Sequence, residues 1–533
     1  MSGSENSRNT LLGLAVLLAC VAAVLLPCAV HGFPHGADAD FHATAWTDVA
    51  QQWHEGTIWP RWGAKFANGF GEPIYIFYPP LSIAVGAVCT KLFGGGTAPI
   101  ACCFLVLLLA GWNMRCCVRE FRGEVESWIA ACAYAANPYF LLCVWLRSSF
   151  AELLAAAIFP LVVKYALRLN DRRDVAKLAL AYAAVWFTNF PAAVIVSYAL
   201  AVLLIAQCID DRQWSRLARG AVAMLLGGAV ASWTLLPAWY EQRWVQIAAA
   251  SSEYNLYWKH WLGGGGADAD DLDFTHWLTV VAVALIAVAL LAVVARLLRR
   301  QAITSVELSI AALTVFAAAM MFRISHFAWA YAPLLSKVQF PWRWMFVVAF
   351  AAAMLVALSL PGTRWKFAAA VLLLAGGAWI GNYVYEQADW EDVWTNRYPA
   401  DQVVVVDEYL PLGADGDALS NLSGRHVGLI DANGDVRVQS WKGERIELKA
   451  IGPGKLQVGL ADYPAWQVRV NGHDLQARSS FGTHSIEVSL ASGESRIAIT
   501  FTRTWDRALG GALSIVGFLV SGILLWVPRR QSP

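Results

Sequence analysis

Long apolar runs separated by short polar stretches dominate the sequence and predict a series of membrane helices. A run of about 20 apolar residues is long enough to cross the hydrocarbon core of a bilayer as a helix. The runs that approach this length lie at 11–31, 79–93, 97–114, 127–145, 150–168, 174–188, 190–208, 217–239, 275–295, 303–322, 342–360, 365–384 and 508–527. The first run also resembles a signal peptide, but its length and the Pro27 and His31 near its end favour a retained helix.

Basic residues cluster in alternate gaps between the apolar runs, and this alternation predicts which gaps face the cytoplasm. Lys and Arg are concentrated in cytoplasmic loops of membrane proteins. The basic clusters lie at 115–122, 168–173, 212–219, 296–300, 364–366 and 529–530. The gaps without such clusters are 146–149, 240–274, 323–341 and the long region 385–505, and we expect them on the outer side.

The run 79–93 decides on which side the first polar loop lies. Thirteen crossings with a cytoplasmic C-terminus would place the loop at 36–78 inside the cell. This run begins at Pro79-Pro80, ends at Gly94, and reaches only about 22 Å of a core that is about 30 Å thick. We therefore predict that it does not cross, which leaves twelve crossings and places the loop outside. The chain thus carries about 12–13 membrane segments.

Residues 385–505 alternate apolar and polar positions and predict a β-domain. The alternating segments lie at 403–410, 426–441, 445–460, 466–475, 484–490 and 495–501, and turn signals such as GPG, NG and SG separate them. The predicted organisation is a transmembrane domain at 1–384 with an outer loop at 32–78, then an extracytoplasmic, β-sandwich-like domain at 385–505. A final transmembrane helix and a cytoplasmic tail follow at 506–533.

Composition supports this class and excludes others. The 533 residues are 58% hydrophobic and only 15% charged, whereas about 25% of the residues of a soluble domain are charged. The net charge of +1 gives no support for nucleic-acid binding. All ten cysteines lie between Cys20 and Cys208, with no metal-ligand spacing, so we interpret them as buried apolar residues.

The first candidate site is the acidic and aromatic loop that follows the first apolar run. It contains Asp38, Asp40 and His42. In an extended segment, residues two apart point the same way, so the three side chains could converge. Paired carboxylates suit a general base or a divalent cation; the alternative is a solvated acidic loop.

The second candidate is the pair Arg147 and Glu152, at the outer ends of apolar runs. Charge is costly in a bilayer, and an arginine facing a pocket can hold a phosphate through two hydrogen bonds. The alternative is an arginine that extends to the membrane surface beside a glutamate that caps a helix or pairs with it. Because they are five apart, the two residues would not share one helical face.

The third candidate is the segment SKVQFPWRW at 336–344, which contains Lys337 and Arg343. Its proline suits the first turn of a helix, and helix N-termini attract anions. The two cations could therefore hold a phosphate or pyrophosphate. The alternative is an ordinary belt of aromatic and basic residues at the membrane surface.

Several motifs together resemble a known family. They are the acidic loop with Asp40 and His42, GTIWPRW at 56–62, NGFGEPIYIFYPPL at 68–81, RSSFAELLAAAIFPL at 147–161 and KVQFPWRW at 337–344. The set resembles bacterial membrane proteins described as related to 6-pyruvoyl-tetrahydropterin synthase, which belong with the GT-C-type glycosyltransferases. DYPAWQVRVNGHDL at 462–475 is similar to the β-domain of YfhO-type proteins. The pterin name implies no pterin chemistry.

The resemblance implies a glycosyltransferase that moves a hexose or pentose from a polyprenyl-phosphate donor to a cell-envelope glycan or lipid. It implies a multi-pass protein of the bacterial inner membrane with an outward-facing site. The catalytic carboxylate would be Asp40 or Asp38, which could also bind a divalent metal such as Mg or Mn, although no cofactor is required. The residues expected to contact the substrates are His42, Arg147, Glu152, Lys337, Arg343 and Tyr78.

Two other functions stay open at the level of sequence: a transporter of envelope lipid or polysaccharide, and a non-catalytic assembly protein of the same fold. Transporters carry polar groups near the membrane midplane and often contain inverted repeats. Here the polar groups gather at the predicted outer edge and no repeat is visible, which favours the transferase.

Overall fold

The computed structural model describes residues 2–252, 255–263, 272–390, 394, 403–420, 427–430, 435–476, 478–480 and 483–526. Helices form most of it, and one sheet follows near the C-terminus. The helices are α1 (Ser2–His31), α2 (Ala39–His54), α3 (Ile74–Phe77), α4 (Pro80–Phe93), α5 (Ala98–Val118), α6 (Glu124–Ala135), α7 (Pro138–Trp145), α8 (Phe150–Leu167), α9 (Arg172–Trp186), α10 (Phe190–Asp211), α11 (Trp214–Glu241), α12 (Leu272–Leu298), α13 (Ser305–Met320), α14 (His326–Tyr331), α15 (Met345–Ser359), α16 (Gly362–Gln387), α17 (Gly416–Ser420) and α18 (Trp505–Trp526).

The helices form a polytopic membrane protein, as the sequence predicts. Within the described residues, ten spans are long and apolar enough to cross a bilayer, with α6 and α7 together forming one of them. Two shorter helices, α9 and α13, complete the bundle, and α13 is followed by a bend of 91° into α14. By length and composition, the described residues therefore contain ten candidate crossings, or eleven if the bent pair of α13 and α14 counts as one.

The basic loops meet at one end of the bundle, which we call the basic end. There Arg115 and Arg119 both bind Glu124, at 2.5 and 2.7 Å, and Arg296 binds Glu307 at 3.1 Å. The other loops meet at the opposite end with the sheet, which we call the sheet end. The alternation of basic and non-basic loops along the sequence therefore corresponds to two physical ends of the bundle.

Helix α4 begins and ends at the sheet end. At its start, the Leu81 backbone N–H donates to the Phe187 carbonyl at 2.7 Å, in the turn between α9 and α10. Just after its end, Gly95 lies against the backbone of Trp394, whose ring packs on Trp46 of α2. A helix of 14 residues with both ends at one face does not cross the bundle, in agreement with the prediction for 79–93.

The polar loop that precedes α4 folds into a layer on this end of the bundle. Helix α2 packs so closely on α4 that a Cβ at Gly86 would lie 1.9 Å from the Trp46 ring. Residues 55–72 then bind the sheet: the Gly443 backbone donates to Glu55 at 2.9 Å, and the Ala461 backbone donates to the Phe70 carbonyl at 2.9 Å. The loop therefore lies between the helices and the sheet.

The C-terminal region forms an antiparallel sheet domain, as predicted. Its seven strands belong to one hydrogen-bonded sheet, in the order β1-β3-β7-β4-β5, with β2 paired to β3 and β6 to β7. The two long strands pair from Arg445 with Thr500 to Ala461 with Ser485, with a register shift between Gly452 and Gly454. The strands are β1 (Val427–Ile430), β2 (Val436–Lys442), β3 (Arg445–Ala461), β4 (Trp466–Val470), β5 (His473–Leu475), β6 (Arg478–Ser479) and β7 (Ser485–Phe501).

The predicted strand at 403–410 is wrong. This segment contains a 3-10 turn at Asp407–Tyr409 and no strand. Its backbone bonds go to the polar loop instead: Val404 accepts from the Ala67 N–H at 2.9 Å, and Val406 donates to the Glu72 carboxylate at 3.2 Å. An apolar run that satisfies its backbone in this way needs no neighbouring strand.

Candidate functional site

The site lies at the sheet end, where the start of α2 meets the loop between α7 and α8. The backbone N–H groups of Ala37 and Asp38 donate to the carbonyls of Leu146 and Arg147, at 3.1 and 3.0 Å. Asp38 is the residue that precedes α2, and its carboxylate accepts a hydrogen bond of 3.2 Å from the Ser149 hydroxyl. These three bonds fix the Asp38 carboxylate beside the start of α8.

A compact cluster of charges lies next to Asp38. The Glu152 carboxylate is 3.0 Å from Nη1 of Arg147 and 3.4 Å from Nε of Arg343, so it bridges two arginines. Its other oxygen accepts from the Tyr139 hydroxyl. All three charged side chains are largely buried, at 4%, 11% and 13% exposure for Glu152, Arg147 and Arg343. Glu152 neutralises only one of the two guanidinium groups, and the second positive charge faces the neighbouring Asp38.

Each arginine keeps hydrogen-bond donors that the protein does not use. Arg147 donates through Nη1, to Glu152 and to the Tyr139 hydroxyl at 3.4 Å. Arg343 also donates through Nη1, to the Val338 carbonyl at 2.7 Å. Within the described part of the chain, Nη2 of each arginine has no hydrogen bond. The arginines are therefore held in place while part of each fork stays available to an anion.

The electrostatics of Asp38 suit a proton acceptor. Asp38 is exposed to solvent on one side, but protein groups lie close to its carboxyl on the others. The resulting loss of hydration raises the pKa of the carboxyl above its usual value. Arg147 and Arg343 act in the opposite direction and lower the same pKa. Burial thus increases the proton affinity of the Asp38 carboxyl, and the two arginines act against this increase.

Asp40 does not point where Asp38 points, because the predicted extended segment is wrong. The chain is helical from Ala39, and two positions two apart on a helix are separated by about 200°. Asp40 lies 3.2 Å from Nε2 of His35, and the other ring nitrogen of His35 lies 3.7 Å from Asp389. Asp38 therefore belongs to the arginine cluster, and Asp40 belongs to a separate histidine–carboxylate group.

Tyr78 and His42 form the apolar side of the site. The Tyr78 hydroxyl lies 3.5 Å from Nε2 of His42, whose ring packs edge-on against Phe150 at 5.1 Å. Burial lowers the pKa of His42 to about 3, so this imidazole is neutral. Burial also raises the pKa of Tyr78 well above its usual value, and Asp38 raises it further. Tyr78 thus presents a neutral hydroxyl near Asp38, and the His42 ring packs beside that hydroxyl.

Of the predicted residues, Lys337 stands apart. It is exposed, and its Nζ donates to the Ser251 hydroxyl at 3.2 Å rather than joining Glu152. No group of three or more His, Cys, Asp or Glu residues that could hold a metal ion is found among the described residues, and Asp38 and Asp40 contact different partners, Ser149 and His35. The divalent metal stays a prediction.

The sequence gives little indication of a second group that adjoins the site. Glu72 is fully buried, and burial raises the pKa of its carboxyl well above the usual value, with Glu408 and Asp407 raising it further. Tyr409, from the same segment, stacks on Phe77 at 5.4 Å, next to Tyr78. The only sequence signal is one glutamate in the aromatic motif at 68–81. The segment 404–409 thus covers one side of the site.

A buried network under α2 holds the polar loop in place. The same oxygen of Asp48 accepts from the Tyr75 hydroxyl at 2.7 Å, from Gln52 at 3.1 Å and from the Ala64 N–H at 3.1 Å. Asp48 is only 1% exposed, and burial raises the pKa of its carboxyl to about 7. The loop is therefore fixed by a carboxylate that titrates near neutral pH.

This network predicts a pH-dependent stability. Between about pH 4 and pH 7 the folded protein binds more protons at Asp48 than the unfolded chain does, so stability decreases as pH rises. The slope is at most about 1.4 kcal/mol per pH unit. We expect Asp48→Asn to flatten the fall in melting temperature between pH 4.5 and 8, measured in detergent. The exposed Asp474→Asn is the control, and parallel profiles for wild type and Asp48→Asn would contradict the assignment.

Comparison with solved structures places the chain near two membrane proteins. It resembles ArnT from Cupriavidus metallidurans bound to undecaprenyl phosphate, with 13% identity and a TM-score of 0.44, over 72% of this chain and 73% of that one. It also resembles the apo oligosaccharyltransferase of Archaeoglobus fulgidus, with 11% identity and a TM-score of 0.36, over 71% of this chain and 55% of that one. No protein-family model and no curated protein matches the sequence.

Likenesses of this strength assign neither a family nor an activity, and the resemblance to YfhO-type proteins stays a prediction. The fold and the site define a class of protein, which is a polytopic α-helical membrane protein with a C-terminal antiparallel sheet domain. Within that class, this chain carries an exposed carboxylate beside two arginines bridged by a glutamate.

Proposed function

We propose that this protein is a membrane glycosyltransferase that moves a sugar from a polyprenyl-phosphate donor to an acceptor hydroxyl. The observation that carries the proposal is the pairing of Asp38 with Arg147 and Arg343, which are bridged by Glu152 and keep unused donors. A phosphate accepts several charge-assisted hydrogen bonds, and arginine forks match its geometry. The cluster therefore supplies an anion subsite and a base side by side.

The reaction that this geometry supports is a direct displacement. The acceptor oxygen attacks the anomeric carbon of the sugar as its proton passes to the Asp38 carboxylate. The bond between that carbon and the phosphate oxygen breaks, and the lipid phosphate leaves as an anion held by Arg147 and Arg343. The leaving phosphate needs no acid because its pKa is low, and attack from the opposite face inverts the anomeric centre.

The surroundings of the site fit this chemistry. Tyr78 and His42 are neutral, so they add no charge that would compete with the phosphate. Tyr78 has a hydroxyl that can contact a sugar. We place the site on the outer face of a bacterial inner membrane, because the basic loops gather at the opposite end of the bundle. The acceptor is then a glycan or lipid of the cell envelope.

The test is turnover by the purified full-length protein in lipid nanodiscs. A panel of undecaprenyl-phosphate hexoses and pentoses is supplied with an envelope lipid extract, and free undecaprenyl phosphate is measured by mass spectrometry. We expect release with at least one donor, dependent on the extract and on Asp38. Accumulation of intact donor on the opposite side of proteoliposomes, without release, would instead favour the transporter. No release and no movement with any donor would favour a non-catalytic assembly protein.

A further inference from the structure

A second feature at the sheet end is unrelated to the arginine cluster. A groove of about 310 Å³ lies between the end of α9, the outer half of α11 and the first half of α18. It is lined by Phe187, Trp233, Arg503, Gly511, Ser514, Ile515 and Phe518. All but Arg503 and Ser514 are apolar, so the groove is apolar except near Arg503 and Ser514.

Small residues on α18 create the groove. A Cβ at Gly510 would lie 2.5 Å from the Ser232 carbonyl, and one at Gly517 would lie 2.8 Å from the Val230 nitrogen, so α18 packs directly on the backbone of α11. The Ser514 hydroxyl accepts from the Trp233 backbone N–H at 2.8 Å and locks this packing. Gly511 faces the Trp233 ring and provides no side chain, which leaves the space open.

Arg503 forms the charged end of the groove. A Cβ at Gly511 would lie 2.9 Å from Nη2 of Arg503, so the guanidinium lies directly over the glycine. Its guanidinium donates one long hydrogen bond, 3.4 Å to the Arg507 carbonyl, and forms no ion pair with any residue that the structure describes. Arg507, by contrast, is neutralised by Glu241 through two bonds of 2.6 Å. Arg503 is exposed, and no carboxylate of the described residues pairs with it.

The position of the groove suits a lipid rather than a soluble ligand. It runs along the start of a span, and Ile515 and Phe518 beside it are 62% and 50% exposed where hydrocarbon would contact the bundle. Trp505, 54% exposed, marks the membrane surface at the level of Arg503. A chain in the groove would thus lie in the membrane while its head group meets the arginine.

We propose that this groove binds one phosphate-headed lipid, with its phosphate on Arg503 and one hydrocarbon chain between Trp233 and Phe518. Arginine binds phosphate through paired donors, and basic residues at the membrane surface recognise anionic lipids. A second cation lies nearby, because the Arg61 guanidinium is 4.2 Å from the Trp233 ring. The site is separate from the Arg147–Arg343 cluster and does not depend on the proposed transferase activity.

The experiment is native mass spectrometry of the full-length protein in detergent, titrated with phosphatidylglycerol or with a diacylglycerol of the same chains. We expect one tight phosphatidylglycerol adduct in the wild type. Arg503→Gln, which removes the charge, should weaken it by at least about tenfold, as expected for a lost charged hydrogen bond. Gly511→Leu, which fills the groove, should remove it.

Gly522→Leu is the matched control, since it adds the same side chain to the same helix where a Cβ meets nothing within 4 Å. It should bind phosphatidylglycerol like the wild type. Equal adducts in Gly511→Leu and Gly522→Leu would overturn the site. So would diacylglycerol that binds as tightly as phosphatidylglycerol, because the phosphate would then not be recognised. Arg503 lies on the surface before α18, so Arg503→Gln gives a result even where Gly511→Leu fails to fold.

Discussion

Replacing Asp38 by Asn is expected to lower the rate of sugar transfer by about 100- to 10,000-fold, the usual contribution of a positioned general base. Asn keeps the size of the side chain and can still accept from Ser149, but it cannot take the proton of the acceptor hydroxyl. Binding of the lipid phosphate should change little or improve slightly, because a negative charge next to Arg147 and Arg343 is lost. Release of undecaprenyl phosphate from the nanodisc assay measures the first quantity, and a lipid titration measures the second.

The matched control is Asp40→Asn, two positions along the same chain. Asp40 lies 3.2 Å from His35, away from the arginine cluster, so we expect its replacement to reduce transfer by less than about tenfold. If Asp40→Asn were the more damaging of the two, the base would be Asp40 and the acceptor would approach from the side of His35. If both variants kept full activity, neither carboxylate would be the base, and the displacement described above would be wrong.

The pattern of charge along the sequence was sufficient to predict the two ends of the bundle. Arginines that cluster in alternate gaps must share one side of a membrane, and the contacts of Arg115, Arg119 and Arg296 lie together accordingly. The short run 79–93 could be assigned from its length alone, because prolines mark its start and glycines mark its end. The membrane character and the polarity of the helices could be predicted because each depends on the apolar length or the charge of a single segment.

The site was predicted by residue type but not by geometry. Charged residues among apolar runs are few, so Asp38, Arg147, Glu152 and Arg343 could be selected from the sequence. Arg147 and Glu152 are five positions apart, and on one continuous helix this spacing would keep their side chains from meeting. The chain instead turns between α7 and α8, where Ser148 has a φ of 50°, and this turn brings the two side chains to 3.0 Å.

Contacts between distant segments could not be predicted from local patterns. The four valines at 403–406 have the composition of a strand, but their backbone partners are Ala67 and Glu72, more than 330 residues earlier. The prediction of an extended segment at 38–42 is wrong for a similar reason. Its acidic residues suit a loop, but the backbone N–H groups of 37 and 38 donate to the carbonyls of 146 and 147, and a helix begins directly after them. In both cases the tertiary contact decides the backbone.

Removing either arginine of the cluster is the second change for which we expect a large effect. Each of Arg147→Gln and Arg343→Gln should weaken binding of undecaprenyl phosphate by about 10- to 150-fold, since a hydrogen bond to a charged group is worth about 1.5–3 kcal/mol. The remaining arginine still pairs with Glu152, so the buried carboxylate is not left without a cation and the fold should persist. A lysine at either position should restore only part of the affinity, because a single ammonium cannot reproduce the planar fork.

Lys337→Gln separates this phosphate subsite from a general attraction of anions to the sheet end. It removes the same charge from a residue that the sequence predicts as a phosphate ligand but that the structure places on Ser251, outside the cluster. We expect its affinity for undecaprenyl phosphate to equal that of the wild type in a native mass spectrometry titration. A loss equal to that of the arginine variants would mean that the lipid phosphate lies nearer to the 335–338 turn, and that Glu152 holds the two arginines for structural reasons alone.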